Sequence, residues 1–223
     1  MGIGADSMGT ADSAEPPDPS SAIAGTQASY AAMAGRYADR WDAAGNSWSD
    51  EAMAGFAAAL PPNALVADVG CGPGNDTVKL RGLGLRAHGF DLSHAMLTAR
   101  DVSGQVRADL RRLPLPDGAL DGLWCVAVLL HIPREMLPAA LAEIHRVLRP
   151  GGLATMSIAE GDGSDWERYP FRRGVPERYF VYHSRAAFTA LITAAGFEIL
   201  STACASTHRN WLTLHVRRGT GVH

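Results

Sequence analysis

Three carboxylates stand where short apolar runs end, and the first of them precedes a loop built on alternate glycines. The stretch is Leu65-Val66-Ala67-Asp68-Val69-Gly70-Cys71-Gly72-Pro73-Gly74. Small and β-branched residues from Leu65 to Val69 suit a strand buried on both faces of a parallel sheet. Gly70, Gly72 and Gly74 permit positive φ and let the backbone approach a ligand without Cβ clashes. Asn75-Asp76-Thr77 then offers polar starters for a helix. Strand, glycine loop and helix make a turn suited to a nucleotide-type ligand. A dinucleotide fingerprint, G-x-G-x-x-G, fails because its third glycine falls on Asn75. A P-loop is excluded because no Gly-Lys-Ser/Thr follows. The second carboxylate, Asp91, ends Leu85-Arg86-Ala87-His88-Gly89-Phe90 and is placed to accept both ribose hydroxyls of a bound nucleoside. The third, Asp109, ends Val106-Arg107-Ala108. It can accept from an adenine amino group, with the Leu110 amide beside it. As plain structure, each Asp would instead be a helix cap or turn residue.

The elements that must position these groups follow from the pattern of the chain. Residues 1–26 are rich in Ala, Gly, Ser, Asp and Pro with little to bury, and read as disordered. From Gln27, residues Tyr30, Met33, Ala34, Tyr37 and Trp41 share a helical face. A second helix, Asp50 to Leu60, is capped by Ser49 or Ser47 and stopped by Pro61-Pro62. Residues 27–60 form a helical cap. Strands are expected at 65–69, 85–91, 106–109, 120–127 and 153–158, with helices between them. Ser93 caps one helix reaching about Val102, and another runs from about Arg134 to Leu148. Residues 159–183 read as a lid, with a short extended segment from Glu177 to His183. Ser184 caps a helix ending at Gly196, and strands 197–204 and 210–217 close an antiparallel pair. Residues 61–218 are thus an α/β domain with a doubly wound, seven-stranded sheet. The sheet is mostly parallel with an antiparallel last strand, and helices cover both faces. Residues 219–223 are a tail.

Bulk properties narrow the function. The 223 residues carry a formal net charge of −3, which gives no electrostatic reason to expect nucleic acid. Cys71, Cys125 and Cys204 are odd in number and far apart, so neither a disulfide framework nor a zinc site is indicated. The longest apolar run, Gly122 to Leu130, is too short to span a bilayer. The first residues lack the basic start and apolar core of a signal peptide, so a cytoplasmic location is expected.

Several further segments resemble one family, the class I S-adenosylmethionine-dependent methyltransferases, from roughly Tyr30 to Arg217. Asp68-x-Gly70-x-Gly72-x-Gly74 is similar to the family's first motif. Asp91-Leu92-Ser93-His94-Ala95-Met96-Leu97 is similar to its Asp-x-Ser-x-x-Met-Leu segment, whose Met packs on the adenine. Leu120-Asp121-Gly122-Leu123-Trp124-Cys125-Val126-Ala127-Val128-Leu129-Leu130-His131 resembles its fourth-strand motif. Glu143-Ile144-His145-Arg146-Val147-Leu148-Arg149-Pro150-Gly151-Gly152 resembles the turn into its fifth strand. The resemblance implies S-adenosylmethionine as cofactor and S-adenosylhomocysteine as product. It assigns Asp68, Gly70, Cys71, Gly72, Gly74, Asp91, Leu92, Met96, Asp109 and Leu110 to the cofactor. Main-chain carbonyls near Cys125 and Val126 would receive the methionine ammonium, and Arg36 would meet the carboxylate. Tyr30 and Tyr37 match tyrosines of the family's N-terminal cap helix, unless they are core packing. His131 is either a general base or a loop histidine holding backbone in place.

The resemblance also narrows the acceptor. No Asn/Asp-Pro-Pro-aromatic sequence follows the fourth strand, which argues against exocyclic base amines. No Pro-Cys pair serves cytosine C5 chemistry, and the acidic ligands of a metal-dependent catechol enzyme are missing. The implied branch is metal-independent, acting on small molecules. Tyr30, Tyr37, Trp41 and Trp48 on one side, and Trp166, Tyr169, Phe171, Tyr179, Phe180 and Tyr182 on the other, suit an aromatic or heteroaromatic, indole-like acceptor. Cap packing accounts for the same rings. The rival readings are a tRNA methyltransferase and a protein that binds S-adenosylmethionine without turnover. A monomer or homodimer is expected, with no membrane partner.

Overall fold

A computed structural model describes residues 17–43, 47–168 and 176–220. Its sheet is laid out by alternation. Ala67 and Val69 of β1 (Leu65–Val69) pack into one core with Leu123 and Cys125 of β4 (Leu120–Cys125). Val66 and Trp124 enter a second core on the opposite face. Successive side chains of a strand point to opposite faces, so such strands must be apolar throughout. The first core is filled by α5 (Leu137–Val147) and α6 (Arg185–Ala194), through Leu141, Ile144 and Phe188 among others. The second is filled by α2 (Ser47–Ala58) and α3 (Asn75–Gly82), through Met53, Phe56 and Leu80.

The path across the sheet is β3 (Gln105–Arg107), β2 (Arg86–Asp91), β1, β4, β5 (Leu148–Glu160), β7 (Arg178–His183), β6 (Ser164–Glu167). Pairings from β3 through to β7 are parallel. β9 (Asn210–Arg218) lies antiparallel on β5, and β8 (Phe197–Ser206) antiparallel on β9. The chain reverses between β1 and β4, so the carboxyl ends of β1, β2 and β4 open on a common crevice, where ligands of open α/β sheets bind.

The doubly wound architecture is the expected one, and local boundaries differ for physical reasons. Among the described residues the sheet has nine strands against seven expected. β6 was unreadable as a strand because it exists only by pairing with β7, Ser164 to Val181 through Glu167 to Arg178. β5 begins at Leu148, not Leu153, and absorbs the Pro150-Gly151-Gly152 turn as a bulge, where its register against β4 shifts. α4 (His94–Leu97) stops well before Val102, with the Thr98 hydroxyl bonding back to the His94 and Ala95 carbonyls. The third strand ends at Arg107, and Asp109 makes only an isolated bridge to Arg112.

The helical cap starts earlier than its apolar face suggests. α1 (Pro19–Ala43) includes residues 19–26, which are helical and not disordered. Asp18 caps it by accepting from the Ser21 amide at 3.0 Å, and Pro19 occupies the first helical position. Residues 1–16 lie outside the described residues. α2 runs from Ser47 to Ala58, and Ser49 sits inside it, 3% exposed, not at its cap. Among the described residues no helix is long and apolar enough to cross a membrane.

Phe56 joins α2 to the sheet. It is 3% exposed, its ring lies 5.6 Å from that of Trp124, and a Cβ on Gly122 would stand 2.9 Å from its Cζ. Phe56→Ala is expected to lower the unfolding free energy by about 3–5 kcal/mol in a urea titration. A loss below about 1 kcal/mol would show that α2 is not anchored here.

Candidate active site at the carboxyl ends of the strands

The crevice is a cleft closed from above by α1, with an empty volume of about 1320 Å³ including its open mouth. Gly70, Cys71, Gly72 and Pro73 form its floor. Gly70 has φ 72°, and a Cβ there would lie 2.2 Å from Val128 Cγ2. No other residue type fits. Gly72, at φ 54°, lies beneath Met96 and Tyr37.

Three carboxylates line this floor, each with a donor. Asp68, 2% exposed, accepts from the Thr77 hydroxyl at 2.6 Å. Asp76 accepts from the Trp124 indole N–H at 2.9 Å. Asp91 accepts from the Gly72 amide through Oδ2 at 2.9 Å and from the Ser93 amide through Oδ1 at 2.7 Å. Burial pushes all three above the ordinary carboxylate range, and the charges of Asp76 and Asp91 push Asp68 further. The donors only partly offset this. The Cys71 thiol is driven up by burial and then by Asp68 and Asp91, so it stays a thiol.

Asp109 also lines the cleft but is held differently. Burial raises its pKa, yet the Arg111 guanidinium, with Nη2 at 2.6 Å from Oδ2, outweighs that and leaves it below the ordinary range. Leu110, Leu92 and Met96 line the same wall. Opposite, the chain leaves β4 through Val126, Ala127 and Val128. Ala127 has φ 60°, held by its amide donating to Ser157 Oγ at 2.8 Å. A non-glycine residue kept in the left-handed region costs on the order of 1–3 kcal/mol, and such strain gathers at functional sites.

The acceptor side joins α1 to β7. His131, in the short 3-10 turn Leu129–His131, has Nδ1 at 2.7 Å from the Tyr179 carbonyl and Nε2 at 2.8 Å from the Tyr30 hydroxyl. Burial holds its pKa down near 3, against the pull of the carbonyl and with help from Arg178 and Arg209. Tyr30 meets Tyr37 edge to face at 5.9 Å. α1 is tied down by Thr26 Oγ1 accepting from the Tyr179 amide at 2.9 Å, by Gln27 donating to the Leu92 carbonyl at 3.2 Å, and by Ser29 donating to the Glu177 carbonyl.

The structure brings together most of the residues singled out from sequence and separates a few. Arg36 is exposed on α1 and does not line the cleft. Gly74, at φ 91°, precedes α3 and faces Gln105 and Val102. Cys125 is buried inside β4, and the lining passes to the next three residues. The lid aromatics among the described residues are packing. The outer ring edge of Trp166 sits against Gly25, Tyr179 joins a cluster with Ala22, Phe180 packs on His131, and Tyr182 donates to Glu167. Tyr169, Phe171 and the side chains of Trp41 and Trp48 lie outside the described residues. Sequence reasoning missed Asp76, Ala127 and Arg178. Asp76 reads as a helix starter, and nothing in an alanine or a lone arginine marks such a position. Among the described residues no cluster could hold a metal ion.

A cleft over a glycine loop at the switch point of a 3-2-1-4-5 sheet defines a class of cofactor-binding α/β domain. Residues 67–156 match the family model described as a methyltransferase domain. The chain is 36% identical over 154 residues to malonyl-[acyl-carrier protein] O-methyltransferase of Serratia marcescens, covering 63% of this chain and 58% of that one. It is 29% identical over 164 residues to a sterol 24-C-methyltransferase of Gibberella zeae, covering 63% and 41%. The chain thus spans about half the length of these curated relatives. Among solved structures, 1,6-didemethyltoxoflavin-N1-methyltransferase of Burkholderia thailandensis shares the fold, with TM-score 0.68, 21% identity and 92% of both chains covered. Over residues 67–156 the chain is similar to a methyltransferase domain, set in a fold that it shares with that solved methyltransferase.

Raised carboxyl pKa values make cofactor binding proton-linked. A cationic ligand favours the ionised forms of Asp68, Asp76 and Asp91. Binding is therefore expected to release protons, and affinity to rise with pH from the ordinary carboxylate range through the raised values. Stability has the opposite sign. The ligand-free fold gains from these groups at low pH and loses that gain as they ionise. Calorimetry in buffers of different ionisation enthalpy reads the released protons, and identical heats in all buffers would contradict the linkage.

Proposed function

We propose that this protein transfers a methyl group from S-adenosylmethionine to an O, N or C nucleophile of a small aromatic or heteroaromatic metabolite. The observation that carries the reading is the convergence of Asp68, Asp76 and Asp91 on one cleft whose floor is the glycine loop. Buried like charges suit a ligand with an ammonium and a sulfonium. Asp91, fixed by two backbone donors, keeps lone pairs for ribose hydroxyls. Asp109 and the Leu110 amide suit the adenine edge, and Met96 its face. The carbonyls from Val126 to Val128 suit the ammonium. When bound, S-adenosylmethionine supplies an electrophilic methyl and its sulfur keeps the C–S electron pair.

The chain's own contribution is then mainly alignment and exclusion of water, which carries much of the acceleration of a reaction between two bound partners. α1 covers the cleft, and Tyr30 and Tyr37 present ring edges and faces to a planar acceptor. The 1,6-didemethyltoxoflavin bound in the Burkholderia structure supports that choice of acceptor. The malonyl group named for the Serratia relative makes acyl acids the first alternative in any screen.

Asp91→Ala is expected to weaken S-adenosylmethionine binding by about 1–3 kcal/mol through lost hydrogen bonds to a charged acceptor. Titration calorimetry checks this, and an unchanged affinity would remove Asp91 from the site. Labelled-methyl transfer should appear with phenolic, amino- or ring N–H heteroaromatics. Turnover of aliphatic acceptors alone would refute the acceptor class.

A further inference from the structure

We infer that Tyr30 accepts a hydrogen bond from the acceptor's own O–H or N–H and relays that proton to His131, so that this site selects donor-bearing nucleophiles. The inference rests on reading the cleft as a methyl-transfer site.

The polarity of the hydrogen bonds carries it. The Tyr179 carbonyl can only accept, so Nδ1 of His131, 2.7 Å away, bears the hydrogen. A buried imidazole with pKa near 3 is neutral, and its Nε2 is a bare lone pair. The Tyr30 oxygen, 2.8 Å from Nε2, must therefore donate its hydrogen there. Arg178 Nη1 donates to the same oxygen at 3.2 Å. A phenol has one hydrogen and two acceptor sites. With the hydrogen given to His131 and one acceptor site taken by Arg178, the oxygen offers the cleft a lone pair and nothing else. Tyr30 and His131 line the cleft beside Ala127 and Val128, whereas Arg178 stands behind Tyr30, outside the lining. A carboxylate or a bare ring nitrogen placed against Tyr30 meets a lone pair. An O–H or N–H meets an acceptor.

The same polarity sets the direction of proton flow. As the nucleophile X uses its electron pair to bond the methyl carbon, and the C–S pair stays on sulfur, the proton on X passes to the Tyr30 oxygen. Tyr30's own proton moves to His131 Nε2. Tyr30 ends neutral, and His131 ends as an imidazolium whose Nδ1–H still rests on the Tyr179 carbonyl. Arg178 and Arg209, which face the imidazole from β7 and from the turn before β9, disfavour that cation together with burial. The proton is held briefly and passes to solvent. Packing keeps the imidazole in this orientation, with Phe180 against it at 4.7 Å between centroids and Arg209 covering Phe180 at 4.0 Å.

Tyr30→Phe keeps the ring and deletes the relay. The first measurement needs no turnover. Calorimetry on the cofactor-free protein compares hydroxy- or N–H heteroaromatics with their O- or N-methyl counterparts, using acceptors found in the methyl-transfer screen. Wild type should prefer the donor-bearing member by roughly tenfold, the scale of one hydrogen bond, and the ratio should fall to about one in Tyr30→Phe. Equal binding of both members by wild type, or a ratio unchanged in the variant, would overturn the inference. In ¹⁵N NMR, His131 Nε2 should show an unprotonated shift that moves in the variant, and a proton found on Nε2 would also overturn it. In turnover, Tyr30→Phe should lose about 10²–10⁴-fold in kcat with O–H or N–H acceptors, with S-adenosylmethionine affinity unchanged. Acceptors that attack through a bare ring nitrogen should lose little kcat, and equal losses for both kinds would mean a merely structural tyrosine. Failure of wild type to methylate any member would fall on the methyl-transfer reading itself. Methylation that is insensitive to Tyr30→Phe falls on the relay alone.

Discussion

A carboxylate taken out of water must be given donors or an opposite charge, and the carboxyl ends of β1 and β2 are arranged around that demand. Asp91 shows the solution most directly. Its two oxygens accept from the amides of Gly72 and Ser93, which stitches the tip of β2 to the glycine loop after β1 and to the start of α4. Asp68 and Asp76 are treated alike by Thr77 and by the Trp124 indole. The donors are neutral, so negative charge remains concentrated under the cleft. That residual charge shapes what can bind.

The opposite wall has the opposite character. Arg178 and Arg209 flank Phe180, and both act on His131. Glu167 engages Arg209 at 3.1 Å and accepts from Tyr182, whose phenol is pushed up to about 12 by burial and by that bond. Burial, with Arg178 and Arg209 behind the acceptor, keeps His131 neutral. The Tyr179 carbonyl fixes which ring nitrogen carries the hydrogen.

α1 depends on the β6–β7 hairpin as much as on its own sequence. Gly25 is bare because a Cβ there would strike Trp166 at 2.5 Å. Tyr179 faces both ways through its main chain: its amide donates to Thr26 on α1, and its carbonyl accepts from His131. The roof of the cleft and the orientation of the imidazole are thereby set by one residue of one strand.

Much of this was present in the chain itself. The apolar run 65–69, the alternate glycines and the carboxylates at 68, 91 and 109 located the cleft and the fold, because strand period, glycine freedom and acid spacing are local properties. Asp18-Pro19 marks the start of α1 as plainly, through its capping chemistry, although no apolar face beyond it draws attention there. Partnership across the chain was decided only on folding. β6 is a strand because β7 lies beside it, Trp166 and Tyr179 are packing because α1 lies beneath them, and Arg36 stays outside because its side of α1 faces water. Whether a given tyrosine donates or accepts follows from a carbonyl and a guanidinium far away in sequence, and no local pattern encodes such a meeting.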